Sequence, residues 1–141
     1  MASDGGHPAL TPEQEADLAQ RAAQAREWAY APYSHYAVGA ALLTASGKIY
    51  DGVNVENAAY PATICAERTA VVKAVSEGER DFVAIAVASS NGGSPCGICR
   101  QVLAEFSVAT QVLIAGPDGR IIRRGRVDEL LPRSFGPQDL A

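Results

Sequence analysis

At 141 residues, 48% of them hydrophobic, the chain has material for one domain with a buried core and too little for two. A formal net charge of −4 excludes a protein whose main task is gripping a phosphate backbone, which needs a basic face. The opening Met-Ala-Ser-Asp-Gly-Gly-His-Pro lacks the apolar stretch of a signal peptide, and no run of about 18 apolar residues occurs, so a cytoplasmic protein is expected.

Residues 1–10, rich in Gly, Pro and polar side chains, are expected to form a disordered tail, with a single domain over 11–141. Thr11-Pro12-Glu13-Gln14 supplies an N-cap, a proline at the first helical position and a capping-box glutamine. The helix it starts carries Leu18, Ala22, Ala25, Trp28 and Ala29 at helical spacing and should reach about Tyr30, ending before Pro32. Ala37 to Leu43 reads as a buried strand, Ala45-Ser46-Gly47 as a turn, and Lys48 to Val55 as the antiparallel return.

A loop carrying Glu56, Asn57 and Tyr60 leads to a helix from about Ile64 to Ser76, closed by Gly78, with Cys65 and Glu67 in its first turn. Phe82 to Ala88 is a continuous apolar run and reads as a central strand buried on both faces. After the loop Ser89-Ser90-Asn91-Gly92-Gly93, Pro95 opens a helix to about Phe106, with Cys96 and Cys99 in its first turn. Gln111 to Ala115 and Arg120 to Arg123 form a second hairpin around Gly116-Pro117-Asp118-Gly119. A short helix near Val127 to Leu131 and a proline-interrupted tail end the chain.

The three cysteines fall in two of these helix starts, Cys65-Ala66-Glu67-Arg68 and Pro95-Cys96-Gly97-Ile98-Cys99-Arg100. An odd cysteine count without an export signal points to free or metal-bound thiols, not a disulfide framework. Three thiolates can hold Zn²⁺ and leave one tetrahedral position for water, while a glutamate two residues from the first ligand can reach that water. A structural zinc site would want a fourth protein ligand, and neither His7 nor His35 is well placed to be one. Right-handed crossovers moving one way across a sheet would bring both helix N-termini to the carboxyl edge of the strands, where open α/β sheets bind ligands. Two such N-termini lower thiol pKa values, and Arg68 or Arg100 can offset the thiolate charge by bonding a ligand sulfur, Arg68 being the better placed.

Cys-Ala-Glu at one helix start and Pro-Cys-x-x-Cys at the next resemble the signature of zinc deaminases. More fully, the chain resembles the small homotetrameric cytidine deaminases of pyrimidine salvage, from about Ala29 to Leu140. Ala31-Pro32-Tyr33-Ser34, Val38-Gly39-Ala40-Ala41-Leu42, Asn54-Val55-Glu56-Asn57-Ala58, the two cysteine stretches, and Glu129-Leu130-Leu131-Pro132 with Phe135-Gly136-Pro137 carry the likeness. It implies an α/β fold, a three-layer α/β/α sandwich around a mixed five-stranded sheet, with one Zn²⁺ per subunit. It implies Cys65, Cys96 and Cys99 as zinc ligands and Glu67 as proton shuttle. Asn54 and Glu56 match a pair that binds the ribose 3′-hydroxyl, Ala66 lies beside them at the site, and Ala58 and Tyr60 match residues near the ribose 5′ side. Tyr36 stands where the family usually has a Phe near the nucleoside, so its hydroxyl must find a partner. Phe135 matches an aromatic covering the pyrimidine. Tyr60 and Phe135 are expected to come from neighbouring subunits of the tetramer.

The reaction implied is hydrolytic deamination of cytidine and 2′-deoxycytidine, with a nucleoside and not a nucleic-acid polymer or a membrane as partner. Ile98 inside the Cys-x-x-Cys turn and Val53 before Asn54 depart from the family pattern, and Ile98 is expected to narrow the site or shift a helix contact. A deaminase of a cytosine-containing antibiotic is the nearest rival, which the Asn54/Glu56 pair and the Phe135 tail disfavour. A polynucleotide deaminase would need Arg120, Arg123, Arg124 and Arg126 to be more than a solvated face. A zinc-stabilised binding protein would have no use for Glu67.

Overall fold

The structure is a computed structural model that describes residues 6–140, so residues 1–5 of the expected tail lie outside the described residues. Residues 6–10 have no regular structure, but His7 Nε2 lies 2.8 Å from Asp81 Oδ1 and Leu10 packs against the apolar face of the first helix.

Helix α1 spans Pro12–Ala25, and its capping box is complete: Gln14 N donates to Thr11 Oγ1 (3.1 Å) and Thr11 N donates to Gln14 Oε1 (2.9 Å). It is shorter than the spacing predicts. The chain tightens into a 3-10 turn at Arg26–Trp28, where Arg26 Nε donates to Ala37 O (3.0 Å) and ties the helix end to the next strand. Trp28, expected in the packed stripe, is instead 78% exposed.

Strands β1 (Gly39–Thr44) and β2 (Ile49–Val53) form the first hairpin, followed by α2 (Ala66–Ser76), β3 (Phe82–Ala88), α3 (Gly97–Phe106), β4 (Gln111–Ala115), β5 (Ile121–Arg126) and α4 (Val127–Leu130). Both cysteine-bearing helices begin two residues later than read from the sequence, at Ala66 and Gly97, with Cys65 and Cys96 as their N-cap residues. The fifth strand runs three residues past Arg123, because the arginines of an exposed edge strand hide its periodicity.

The sheet order is β2-β1-β3-β4-β5. β1 is antiparallel to β2 and β3, while β3 is parallel to β4, so β2, β3 and β4 share one direction. The β2–α2–β3 and β3–α3–β4 crossovers therefore move the same way across the sheet and place α2 and α3 on one face. Their core joins Ala66, Ala70, Val71 and Leu103 to Ile85, Val87 and Val112, and α1 covers the other face. The result is the expected α/β/α sandwich around a mixed five-stranded sheet.

The two helical layers sit unusually close to the first hairpin, which explains two glycines inside strands. A Cβ on Gly39 would meet Ala22 O at 2.0 Å, and one on Gly52 would meet Ala66 O at 2.3 Å. The α1 face of the sheet is lined by Ala41, Ala84, Ala86, Ala88 and Ala115, so small residues let the helix approach. On the other face, the approach of α2 to β2 sets the height of the α2 N-terminus, and with it Cys65.

Candidate active site

Cys65 and Cys96 cap two helices that start at the carboxyl edge of the sheet, and the fold brings them together there. Their Sγ atoms lie 3.9 Å apart, and Cys96 Sγ lies 3.6 Å from Cys99 Sγ. Tetrahedral zinc with Zn–S bonds of about 2.3 Å would hold its thiolates about 3.8 Å apart. The spacing and the soft, all-sulfur donor set therefore fit zinc. Among the described residues this is the one such group of three His, Cys, Asp or Glu side chains.

Burial differs across the cluster: Cys99 is buried, Cys65 intermediate and Cys96 exposed. Hydrogen bonding from Cys99, helped by Arg68, holds the Cys65 thiol down at about 5, and the Cys99 thiol is correspondingly raised by its bond to Cys65 and by burial. Arg68 Nη2 donates to Cys65 Sγ across 3.1 Å, as the sequence led us to expect. Arg100 does not reach sulfur. Its Nε and Nη1 donate to Pro95 O and Leu130 O (both 2.8 Å) and its Nη2 to Ser94 Oγ (3.0 Å), so it braces the chain entering α3.

Glu67 is 5% exposed and lines the same cavity as Cys65 and Cys96. Burial raises its carboxyl to about 7, with the Cys65 charge adding to the rise and its own backbone N–H and Arg68 opposing it. A carboxyl poised near neutrality can both take and give a proton. The cavity, ≈ 200 Å³, is walled by Tyr36, Val38, Asn54, Thr63, Ala66, Val87, Ser89, Gly93 and Ser94 besides these groups.

Of the other residues singled out in the sequence, Tyr36, Asn54 and Ala66 line this cavity, while Glu56 lines an adjoining recess with Tyr33, Ser34, Asn57 and Tyr60, the two sharing Thr63. Asn54 is pinned, its Nδ2 donating to Tyr36 O (2.8 Å) and its Oδ1 accepting from Val38 N (3.0 Å). The Glu56 carboxylate accepts from Tyr33 N (2.9 Å), Ser34 N (3.1 Å) and the Ser34 hydroxyl, and the last of these chiefly holds its pKa below the ordinary value. Backbone bridges of Val55 to Tyr30 and Ile64 hold both residues beside the approach to Cys65. Ala58 is exposed, Tyr60 is 71% and Phe135 58% exposed, and none of the three lines the zinc-site cavity of its own chain. Ile98, expected to narrow the site or shift a helix contact, is 61% exposed and does not line that cavity. The Tyr36 hydroxyl finds its partners in Asn91 Oδ1 (2.6 Å) and Ser89 Oγ (2.9 Å).

Thr63, Ser89, Gly93 and Ser94 are cavity residues that the sequence reading passed over. The last three belong to the loop after β3, which served only as a strand boundary. Its position at the carboxyl end of a central parallel strand was the signal that would have marked it.

The profile described as the cytidine and deoxycytidylate deaminase zinc-binding region matches residues 12–115. The chain is 51% identical over 126 residues to a cytidine deaminase of Halalkalibacterium halodurans, covering 87% of this chain and 95% of that protein. It is 48% identical over 122 residues to a probable cytidine deaminase of Dictyostelium discoideum, covering 84% and 82%. Among solved structures, a cytidine deaminase from Burkholderia pseudomallei superposes with a TM-score of 0.81 at 44% identity, over 89% of this chain and all of that one. One from Mycobacterium tuberculosis gives 0.77 at 37% identity, over 90% and 99%.

Proposed function

This chain belongs to the family of zinc-binding cytidine and deoxycytidylate deaminases, and on that premise we propose that it hydrolyses cytidine and 2′-deoxycytidine to uridine and 2′-deoxyuridine, releasing ammonia. The observation that carries the reading is a buried carboxyl, Glu67, lining a cavity shared with a three-sulfur metal site.

Zinc bound by Cys65, Cys96 and Cys99 supplies Lewis acidity toward a water molecule. Glu67 does the proton work. Its carboxylate takes a proton from the attacking water, delivers it to N3 of the base, and carries a second proton to the departing amine at C4 as the new C4–O bond replaces C4–N. Arg68 offsets thiolate charge at Cys65. Tyr36 and Ala66 bound the base, and Asn54 and Glu56 take the ribose 3′-hydroxyl, their positions already fixed by the bonds described above. Ala58 and Tyr60 lie on the 5′ side of the sugar.

In this reading the enzyme is a cytoplasmic homotetramer of pyrimidine salvage, with one catalytic domain per chain over 11–141. The exposure of Tyr60 and Phe135 supports their service in a neighbour's site, and no described helix is long and apolar enough to cross a membrane. Zinc analysis coupled to the ultraviolet change on cytidine deamination tests the whole proposal. We expect one zinc per chain and turnover that a chelator abolishes; absence of both metal and turnover would defeat it.

A further inference from the structure

The segment from Ser89 to Cys96 joins β3 to α3 and gives the cavity Ser89, Gly93, Ser94 and Cys96. It is fastened by different groups at its two ends. At the Cys96 end, Arg100 holds Ser94 Oγ and Pro95 O. At the Ser89 end, the Tyr36 hydroxyl donates to Asn91 Oδ1 and lies against Ser89 Oγ, which also accepts from Gly93 N (3.1 Å) and sits 3.3 Å from Asn91 Oδ1. Ser89 is 1% exposed, so its hydroxyl depends on these partners. Arg123 Nη2 meets Gly92 O from β5 (3.3 Å), at a residue with φ +67°.

We propose that Asn91, an exposed residue outside the cavity, is a positioning residue for substrate binding: through the Tyr36 hydroxyl and Ser89 it locks the cavity wall at Ser89–Gly93 without governing the metal end of the same segment. The phenol is what makes the lock. A phenylalanine at position 36 would keep the ring and lose the connection, leaving Ser89 and Asn91 without their shared partner. A closed wall also leaves no room for slack: a Cβ on Gly93 would meet the Tyr36 hydroxyl at 2.8 Å. Both Asn91 contacts use Oδ1, so a carboxylate at that position serves as well.

This inference rests on the proposed deamination of cytidine, and its test has an arm independent of turnover. In zinc-loaded enzyme, Asn91→Ala should raise KM for cytidine by about 3- to 10-fold, the effect of one lost hydrogen bond, with kcat changed by less than about 2-fold. Zinc should remain stoichiometric. Amide exchange should quicken across residues 89–93 and stay unchanged at Ser94 and Cys96. Asn91→Asp should restore both KM and exchange, and Asn91→Ala should have a smaller effect in a Tyr36→Phe background, where only its direct contact with Ser89 Oγ is left to lose. Unchanged exchange in Asn91→Ala overturns the inference, as do an unchanged KM beside a working wild-type enzyme, loss of zinc, or an Asn91→Asp variant that behaves like the alanine. A wild type that binds zinc but never turns over cytidine would sink the proposed function instead, with exchange still deciding the lock.

Discussion

Arg68 donates from Nη2 to Cys65 Sγ across 3.1 Å, one helical turn along from the cysteine that caps the same helix. The contact ties charge compensation to helix geometry, since the i to i+3 spacing delivers the guanidinium to the sulfur. Arg68→Gln should weaken zinc binding by about 10- to 100-fold, the usual cost of losing a group that supports a ligand. Competition with a chromogenic chelator measures it, and wild-type affinity in the variant would remove Arg68 from the site.

Glu67→Gln should keep stoichiometric zinc and lose about 10²- to 10⁴-fold in kcat, the range of general acid–base catalysis. Single-turnover assays on the metal-loaded variant provide the check. Turnover near the wild-type rate would reassign the proton shuttle.

Gly39→Ala should lower stability by about 1–3 kcal/mol or more, because the new methyl meets backbone at Ala22 and Arg26 that cannot rotate away. Gly125→Ala, on the exposed edge strand with open space around it, should stay within about 0.5 kcal/mol. Denaturant melts of the two variants side by side test the close approach of α1 to β1.

The Glu56 carboxyl is held below the ordinary value chiefly by the Ser34 hydroxyl. A depressed carboxyl contributes stability that is present above its unfolded value and lost as pH falls through its folded value. Ser34→Ala should therefore raise the Glu56 pKa toward 4.5, the reference value, and shrink this contribution. The acid-side rise in KM for cytidine should move to higher pH by the same shift, which an NMR titration of the carboxyl would read directly.

Sedimentation should give about four times the 14.7 kDa chain mass, and Phe135→Ala should raise KM for cytidine while leaving zinc in place. Mixing Phe135→Ala chains with Glu67→Gln chains should then recover sites that hold both native residues. Failure to recover activity on exchange of subunits would place Phe135 in its own chain's site.

Much of the fold was legible because its signals are local. The Thr11 capping box, the apolar run Phe82–Ala88 and the glycine closing α2 each express a preference settled within a few residues. Trp28 and Arg124–Arg126 misled because exposure decides them: an apolar residue at helical spacing need not be covered, and an edge strand need not alternate. The metal ligands were legible as residue types at two helix starts, and the resemblance supplied their roles. The bracing role of Arg100 was not, since its partner Leu130, thirty residues on, is set by where α4 docks.

The sequence by itself determined the donor set, the carboxyl beside it and the element order, because thiol chemistry, capping and hydrophobic period are carried by neighbouring residues. Only the tertiary structure decided that Cys65 would stand 3.9 Å from Cys96, that burial would lift Glu67 to about 7, and that Tyr36 would reach Asn91. Those are distances and dielectric surroundings between residues far apart in the chain, and they exist only once the two crossovers have placed both helix N-termini at one edge of the sheet.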